Sequence, residues 1–440
     1  MRKEFFATLR LSVPIIITNM AQIALGLIDS AMVGAINYKQ LAASSLAINA
    51  IGIPQIVCIG LTMAVSPLVA IARGRQDSVQ ASALLYNSVW LNIGASLMIA
   101  IMCVVLAPQL SNLGQDAEVA TLAQPYFVII SWSLIPMIVF LTVKQFSDAL
   151  EMTKTGMILG LLALPVNALL NYLFIYGKAG FPEWQLYGAG VATFITRVLM
   201  ALAMIAIVLY FPAYRRYMAA RRQAWHLRMK TMKDLLAIGI PSGLQYAMEA
   251  GAFAISGIMV GWLGATAQAA HQIALNIASF SFMAALGLSL GGSIRVSHAF
   301  GRGDKLLMRR IGISTLYGGL AYGVFCVIYF VLLRYQLPLL FTSEPAVISM
   351  AASLLFLAAI FQVSDSTQAI GVGLLRAIRD VKIPTLLVAV AYWVIGIPVG
   401  YWLAFHRHMG AAGIWLGLVL GLTASSILCN TRFLSKTKGG

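Results

Sequence analysis

The chain has 440 residues, of which 60% are hydrophobic and only 10% charged, with a formal net charge of +16. Soluble globular chains are about 25% charged, so the composition excludes a water-soluble enzyme or binding domain and assigns the chain to a lipid bilayer. The basic excess does not imply nucleic-acid binding, because it falls in alternate connections between apolar runs.

Those runs are each long enough to cross the hydrocarbon core as a helix, and about twelve are expected. They do not show the short alternating pattern of β-barrel strands. The first, 11–34, follows MRKEFFATLR and continues through Thr18, Asn19, Gln22 and Asp29 without a persuasive cleavage site, so it is read as a retained span rather than a signal peptide. Gln22 and Asp29 are seven residues apart and share a helical face. Runs 45–71, 83–107 and 119–143 follow. The fifth, 157–176, contains PVNALLNY (165–172), with Asn167 and Asn171 one turn apart on one face. The sixth, 187–211, starts in the glycine-rich GAGVATF (188–194), which could free a backbone carbonyl beside Thr193. Arg197 lies near mid-depth in that run and reads as a counter-charge for an acid or as an anion contact.

The basic stretch 212–234 then reads as a cytoplasmic tether, a solvated loop rather than a binding site. Run 235–261 carries QYAMEAGAFA, in which Glu249 shares a face with Gln245 and Ser256. Runs 268–294, 311–333, 346–372, 384–405 and 411–433 complete the chain, and the tenth holds the polar patch QVSDSTQ (362–368) with Asp365 and Gln368. Cys58, Cys103, Cys326 and Cys429 all fall in expected spans, as small buried side chains rather than disulfides or metal ligands.

With the N-terminus on one side, alternate connections place nearly all the Lys and Arg there. The opposite side holds only Lys39, Lys178, Arg334 and Arg407. Positive charge marks the cytoplasmic face, so both termini are expected in the cytoplasm, in a multi-pass plasma (inner) membrane protein.

A shift of 227 residues aligns two stretches without a gap, from the first span through the loop after the second, and a weaker echo follows. Pro14 meets Pro241, Met32-Val33-Gly34 meets Met259-Val260-Gly261, and ARGRQD (72–77) meets AFGRGD (299–304). Six spans is an even number, so the halves cross the bilayer in the same sense. The expected fold is an all-α membrane protein of two six-helix lobes, 1–211 and 235–440, related by a pseudo-twofold axis along the membrane normal. A substrate cavity is expected between the lobes.

This plan reads as a transporter rather than an enzyme. There is no G-x-x-x-x-G-K-[ST] phosphate loop, and the five histidines lack ligand spacing. No cofactor is expected beyond a coupling ion, Na⁺ or H⁺. Only Asp29, Glu249 and Asp365 lie well inside the expected spans. A carboxylate at the bilayer centre costs at least about 2.5–3.5 kcal/mol, which makes such residues functional by default. Asp29 with the oxygens of Asn167, Asn171 and Thr193 suits a small hard cation, although interhelical hydrogen bonding accounts for the amides equally well. Glu249 and Asp365 would share a C-lobe site, where two close carboxylates need a proton or cation between them. Gln22, Gln245, Phe253, Phe361 and Gln368 are candidates for lining a cavity that takes cationic or amphiphilic small molecules.

Pro14 with DSAMVG (29–34), AAHQIALNI (269–277) and RDVKIP (379–384), in this order within two six-span halves, resemble the multidrug and toxic compound extrusion (MATE) family, over essentially the whole chain. The acids resemble those of its NorM-like branch. The resemblance implies cation-coupled export of organic cations, with coupling at Glu249 and Asp365, or Na⁺ binding at Asp29, Asn167, Asn171 and Thr193 as in other members. Asn171 stands where some members have a second aspartate, and Phe361 where some have a tyrosine. The alternative reading, a lipid-linked oligosaccharide flippase of related fold, would require several intramembrane cations for its anionic substrate. The protein is expected to act as a monomer in the bilayer.

Overall fold

The computed structural model describes residues 1–112 and 116–438. Among the described residues, twelve long helices match the twelve expected spans, three of which (the third, fifth and sixth) overrun their helix by one residue: α1 (Arg2–Gly34), α2 (Tyr38–Gly74), α3 (Ser78–Leu106), α4 (Ala117–Ala149), α5 (Thr153–Ile175), α6 (Gln185–Tyr210), α7 (Met229–Gly261), α8 (Ala265–Gly301), α9 (Lys305–Leu333), α10 (Pro345–Ala377), α11 (Lys382–His406) and α12 (Gly410–Lys436). No strand occurs among the described residues. Eleven of these helices are long and apolar enough to cross a membrane. The other, α7, matches them in length at 33 residues, but Gln245 and Glu249 dilute its hydropathy. Several helices outrun the bilayer: at 1.5 Å per residue, the 37 residues of α8 extend well beyond a hydrocarbon core of about 30 Å.

Two helices depart from plain α winding. The second expected span is continuous in sequence, but α2 breaks at Met63 and Ala64 into Tyr38–Thr62 and Val65–Gly74. Pro67 accounts for the break, since its ring conflicts with the carbonyl of Met63 four residues earlier. In α11, the stretches Val390–Gly396 and Trp402–His406 are π-helical. There α12 brings Gly413, Gly417 and Gly421 against the α11 backbone: a Cβ on Gly417 would lie 2.4 Å from Gly400 Cα and 2.5 Å from the Gly396 carbonyl oxygen. Small residues permit this approach between membrane helices.

The chain forms two compact units, Ile17–Gly243 (the N-unit) and Met1–Ile16 with Leu244–Gly440 (the C-unit). The divisions fall inside α1 and α7 rather than in the basic stretch 212–234, so each unit takes the first half of a helix whose remainder belongs to the other. Close packing explains the exchange. In the N-unit a Cβ on Gly60 would sit 2.2 Å from Gly243 Cα. In the C-unit Gly287 and Gly291 accept Ile16 and Ser12 at similarly short range. There Arg295 ion-pairs with Glu4 and donates to Thr8 Oγ1 at 2.9 Å, fixing the start of α1.

Two readings need correction. The stretch after α6 is a series of short helical turns fastened to the N-unit, not a loose loop. Tyr214 is buried and its hydroxyl lies 2.5 Å from Ser147 Oγ. Trp225 stacks on Tyr86 with centroids 5.6 Å apart and donates to Ser82 Oγ at 3.1 Å. Asn87 brackets the backbone, donating to the His226 carbonyl and accepting from Arg228 N–H. Lys144, read as part of a cytoplasmic connection, is instead buried near the end of α4, 2.7 Å from Asp148, with side chains only 4% and 2% exposed. The four cysteines are free and buried.

Candidate functional site

Each unit gathers its intramembrane acids with polar partners. In the N-unit, α1 carries Asp29, α5 carries Asn167 and Asn171, and α6 carries Thr193; all four are buried. Asn171 Nδ2 donates to Asp29 Oδ1 at 2.6 Å and lies 3.3 Å from Asn167 Oδ1. Thr193 Oγ1 donates to Asp29 Oδ2 at 2.7 Å. The four residues named from sequence therefore form one cluster, with the one-turn spacing of the asparagines turning both amides toward Asp29. Asn171 Oδ1 is buried without a hydrogen-bond partner. Oxygens from a carboxylate, two amides and a hydroxyl form a hard donor set, and the orphaned amide oxygen is one that a cation could satisfy. Arg197, one turn after Thr193, lies within electrostatic reach of Asp29 and Tyr126 and donates to Ser133 Oγ at 2.6 Å. Gln22 is half-buried, and no hydrogen bond joins it to this cluster.

In the C-unit, Glu249 is half-buried on α7. Its Oε1 accepts from Gln245 Nε2 at 3.0 Å and from Gln368 Nε2 at 2.9 Å. The first bond follows from i, i+4 spacing on α7, while the second crosses to α10. Asp365, also on α10, is buried and within electrostatic reach of Glu249. Tyr392 on α11 lies within electrostatic reach of both carboxylates. Phe253 packs edge-on to Phe361 and Tyr392, with centroids 5.9 and 6.1 Å apart. Phe361 continues to Trp415, which donates to His271 Nδ1 at 3.1 Å. Gln245, Phe361 and Gln368 are almost fully enclosed, at 4%, 2% and 2% exposure, so their observed contacts support Glu249 and the aromatic cluster.

Several neighbours were not singled out in the sequence. Arg376, near the end of α10, was counted among cytoplasmic cations. It is 4% exposed, lies 5.6 Å over the Tyr246 ring, and is within electrostatic reach of Glu249. Its Nε has no hydrogen-bond partner. Trp393 donates to the carbonyl of Met248, beside Glu249, at 3.2 Å. Tyr246 adjoins Gln245 in the sequence and could have been flagged as a cation–π partner, but nothing local marks Arg376 as the cation. No group of three or more His, Cys, Asp or Glu positioned for a metal occurs among the described residues, so any ion would rely on one or two carboxylates together with amide and hydroxyl oxygens.

Known proteins share both the sequence pattern and the fold. The MatE family profile matches residues 14–173 and again 241–402, one match in each half. The probable multidrug resistance protein NorM of Bradyrhizobium diazoefficiens is 33% identical over 98% of this chain and 93% of its own length. The multidrug resistance protein MdtK of Proteus mirabilis is 34% identical over 98% and 95%. The solved structure of the eukaryotic MATE transporter AtDTX14 superposes with a TM-score of 0.89 over 99% of this chain and 98% of its own, at 18% identity. This chain, a multi-pass membrane protein with buried acids in both halves, belongs to the MatE family, the multidrug and toxic compound extrusion transporters.

Proposed function

We propose that the protein is an antiporter that exports organic cations and other toxic amphiphiles across the inner membrane by alternating access, driven by Na⁺ or H⁺. The observation that carries this reading is the presence in each unit of a carboxylate held by neutral donors, Asp29 by Asn171 and Thr193, and Glu249 by Gln245 and Gln368. Among the described residues neither carboxylate forms an ion pair that cancels its charge directly, so each can exchange one positive partner for another. The multidrug resistance proteins NorM and MdtK, with which the chain shares a third of its residues, support the substrate class.

The units suit different partners. At Asp29 a metal ion would require the Asn171 amide to turn by half a revolution, offering Oδ1 in place of Nδ2. Asn167, Asn171 and Thr193 would then complete an oxygen shell, and Arg197 would act as internal counter-charge when the site empties. In the C-unit, Glu249 and Asp365 would take up a proton or cation jointly. An organic cation would compete for the same charge against the rings of Phe253 and Tyr392. Neutralising the acids from outside displaces substrate; reopening inside releases the ion and readmits substrate.

Each charge moved through 100 mV yields about 2.3 kcal/mol, and a tenfold gradient stores about 1.4 kcal/mol. One net charge thus supports about a fortyfold substrate gradient, whereas a one-for-one exchange of Na⁺ for a monovalent cation draws only on the Na⁺ gradient. We place both termini in the cytoplasm, from the distribution of basic connections, and the working form as a monomer. A flippase for an anionic lipid-linked sugar is disfavoured because the carboxylates outnumber the deep cations.

The test uses purified protein in vesicles loaded with a fluorescent organic cation. A Na⁺ jump and a pH jump are imposed separately, in the direction that drives release. One of them should accelerate transport over protein-free vesicles. If neither does, with cationic dyes of several sizes, coupled export is refuted.

A further inference from the structure

Among the basic residues outside the coupling clusters, those of the stretch after α6 line a defined groove. The geometry points to a binding site for an anionic phospholipid where α6 ends, with the headgroup phosphate held by Arg215, Arg221 and Arg222 and the acyl chains lying along Leu209, Tyr210 and Phe211. These residues line a depression of about 500 Å³, roomier than a bare phosphate needs.

Three observations converge on this ligand. First, the charge is unopposed: the sequence holds no acidic residue between Glu183 and Asp234, and among the described residues none of the three guanidinium groups makes a hydrogen bond or ion pair. Arg216, by contrast, turns away and donates to the Gln76 carbonyl. Guanidinium groups bind phosphate through paired N–H donors, and anionic leaflets attract such clusters. Second, Tyr210 and Phe211 are 84% and 59% exposed at the end of a membrane helix. Aromatic rings at that level sit among lipid headgroups, which favours a lipid over free phosphate. Third, the arginines are carried on an anchored scaffold, since Tyr214, Met218 and Ala224 are buried among them and Trp225 is stacked on Tyr86. A loose basic loop would attract anionic lipid diffusely; this one holds its cations around a groove.

The experiment measures lipid adducts on the detergent-purified full chain by native mass spectrometry, with phosphatidylglycerol, phosphatidylcholine or inorganic phosphate added at matched concentrations. Phosphatidylglycerol should bind roughly a hundredfold more tightly than phosphatidylcholine, three basic residues each contributing about 1 kcal/mol. The triple variant Arg215→Gln, Arg221→Gln, Arg222→Gln should lose that preference. A charge-matched variant, Arg302→Gln, Lys305→Gln, Arg310→Gln, which alters three exposed cations of the C-unit, should keep it. Tyr210→Ser with Phe211→Ser should weaken phosphatidylglycerol without altering phosphate binding. Equal losses in the two triple variants would reduce the effect to net charge and overturn the site. Phosphate binding as tightly as phosphatidylglycerol would overturn the lipid assignment.

Discussion

Replacing Glu249 by Gln separates the structural role of this side chain from its charge. The Gln amide oxygen can occupy the place of Oε1 and still accept from Gln245 and Gln368, now at 3.0 and 2.9 Å. Each bond changes from charge-assisted to neutral, a loss of about 1 kcal/mol apiece, while the cost of holding a charge in the membrane is removed, so stability should fall by no more than about 2 kcal/mol. Glu249→Ala instead strands two amide donors on residues that are 4% and 2% exposed, at about 1–3 kcal/mol each. Function should divide differently. A cation about 4 Å from a carboxylate gains about 4 kcal/mol at an effective dielectric of 20, which is nearly three decades of affinity. Glu249→Gln should therefore abolish ion-driven dye efflux from vesicles while its melting temperature in detergent falls only modestly, whereas Glu249→Ala should lose both. Wild-type coupled efflux by a well-folded Glu249→Gln protein would refute the C-unit coupling site.

Asp365→Asn should also abolish ion-driven efflux while the protein inserts normally, as judged by membrane yield; normal efflux in both acid variants would shift coupling to Asp29. Asp29→Asn leaves its single amide oxygen to serve either Asn171 or Thr193 and should lower N-unit stability by about 1.5–3 kcal/mol. It should also erase Na⁺-dependent thermal stabilisation, worth about 2.7 kcal/mol at a hundred times the dissociation constant, if Na⁺ binds there. Asp148→Asn leaves Lys144 buried without its partner and should cost about 3–5 kcal/mol, read as a lowered unfolding temperature, with much of the loss recovered in Lys144→Met/Asp148→Leu. Gly417→Ala forces a methyl against the Gly400 and Gly396 backbone and should cost about 1–3 kcal/mol or more, measured by the same melts.

Hydropathy located every span because the bilayer demands it, and the 227-residue repeat ordered them into halves. The Asp29 cluster was equally legible: one-turn spacing in α5 forces Asn167 and Asn171 together, and a membrane carboxylate must find partners. The individual hydrogen bonds of the C-unit site were not. The sequence pairs Glu249 with Asp365, but it does not single out Gln368, 119 positions from Glu249, as the donor across the helices, because lipid-facing and protein-facing surfaces of membrane helices are both apolar and no stripe marks the inner face. Helix ends were least legible. Lys144, Asp148 and Arg376 sit where spans meet water, and a charge there reads as solvated; burial depends on how far neighbouring helices extend past the membrane. The docking of residues 212–228 was hidden likewise, since Tyr214 and Trp225 stand among arginines that dominate the local composition.

A π turn is an α turn holding one residue more than its hydrogen bonds need. Over Val390–Gly396 that surplus lets two adjacent rings serve α7, Tyr392 by its proximity to both acids and Trp393 by its bond to the Met248 carbonyl. In α5 ordinary winding offers residues of successive turns instead, and so presents Asn167 and Asn171. The halves therefore differ in backbone gauge as well as in side chains. Exchanging side chains while the wide turn of α11 persists would not convert the aromatic, two-carboxylate arrangement into the amide-lined one; that conversion would also have to rewind the turn.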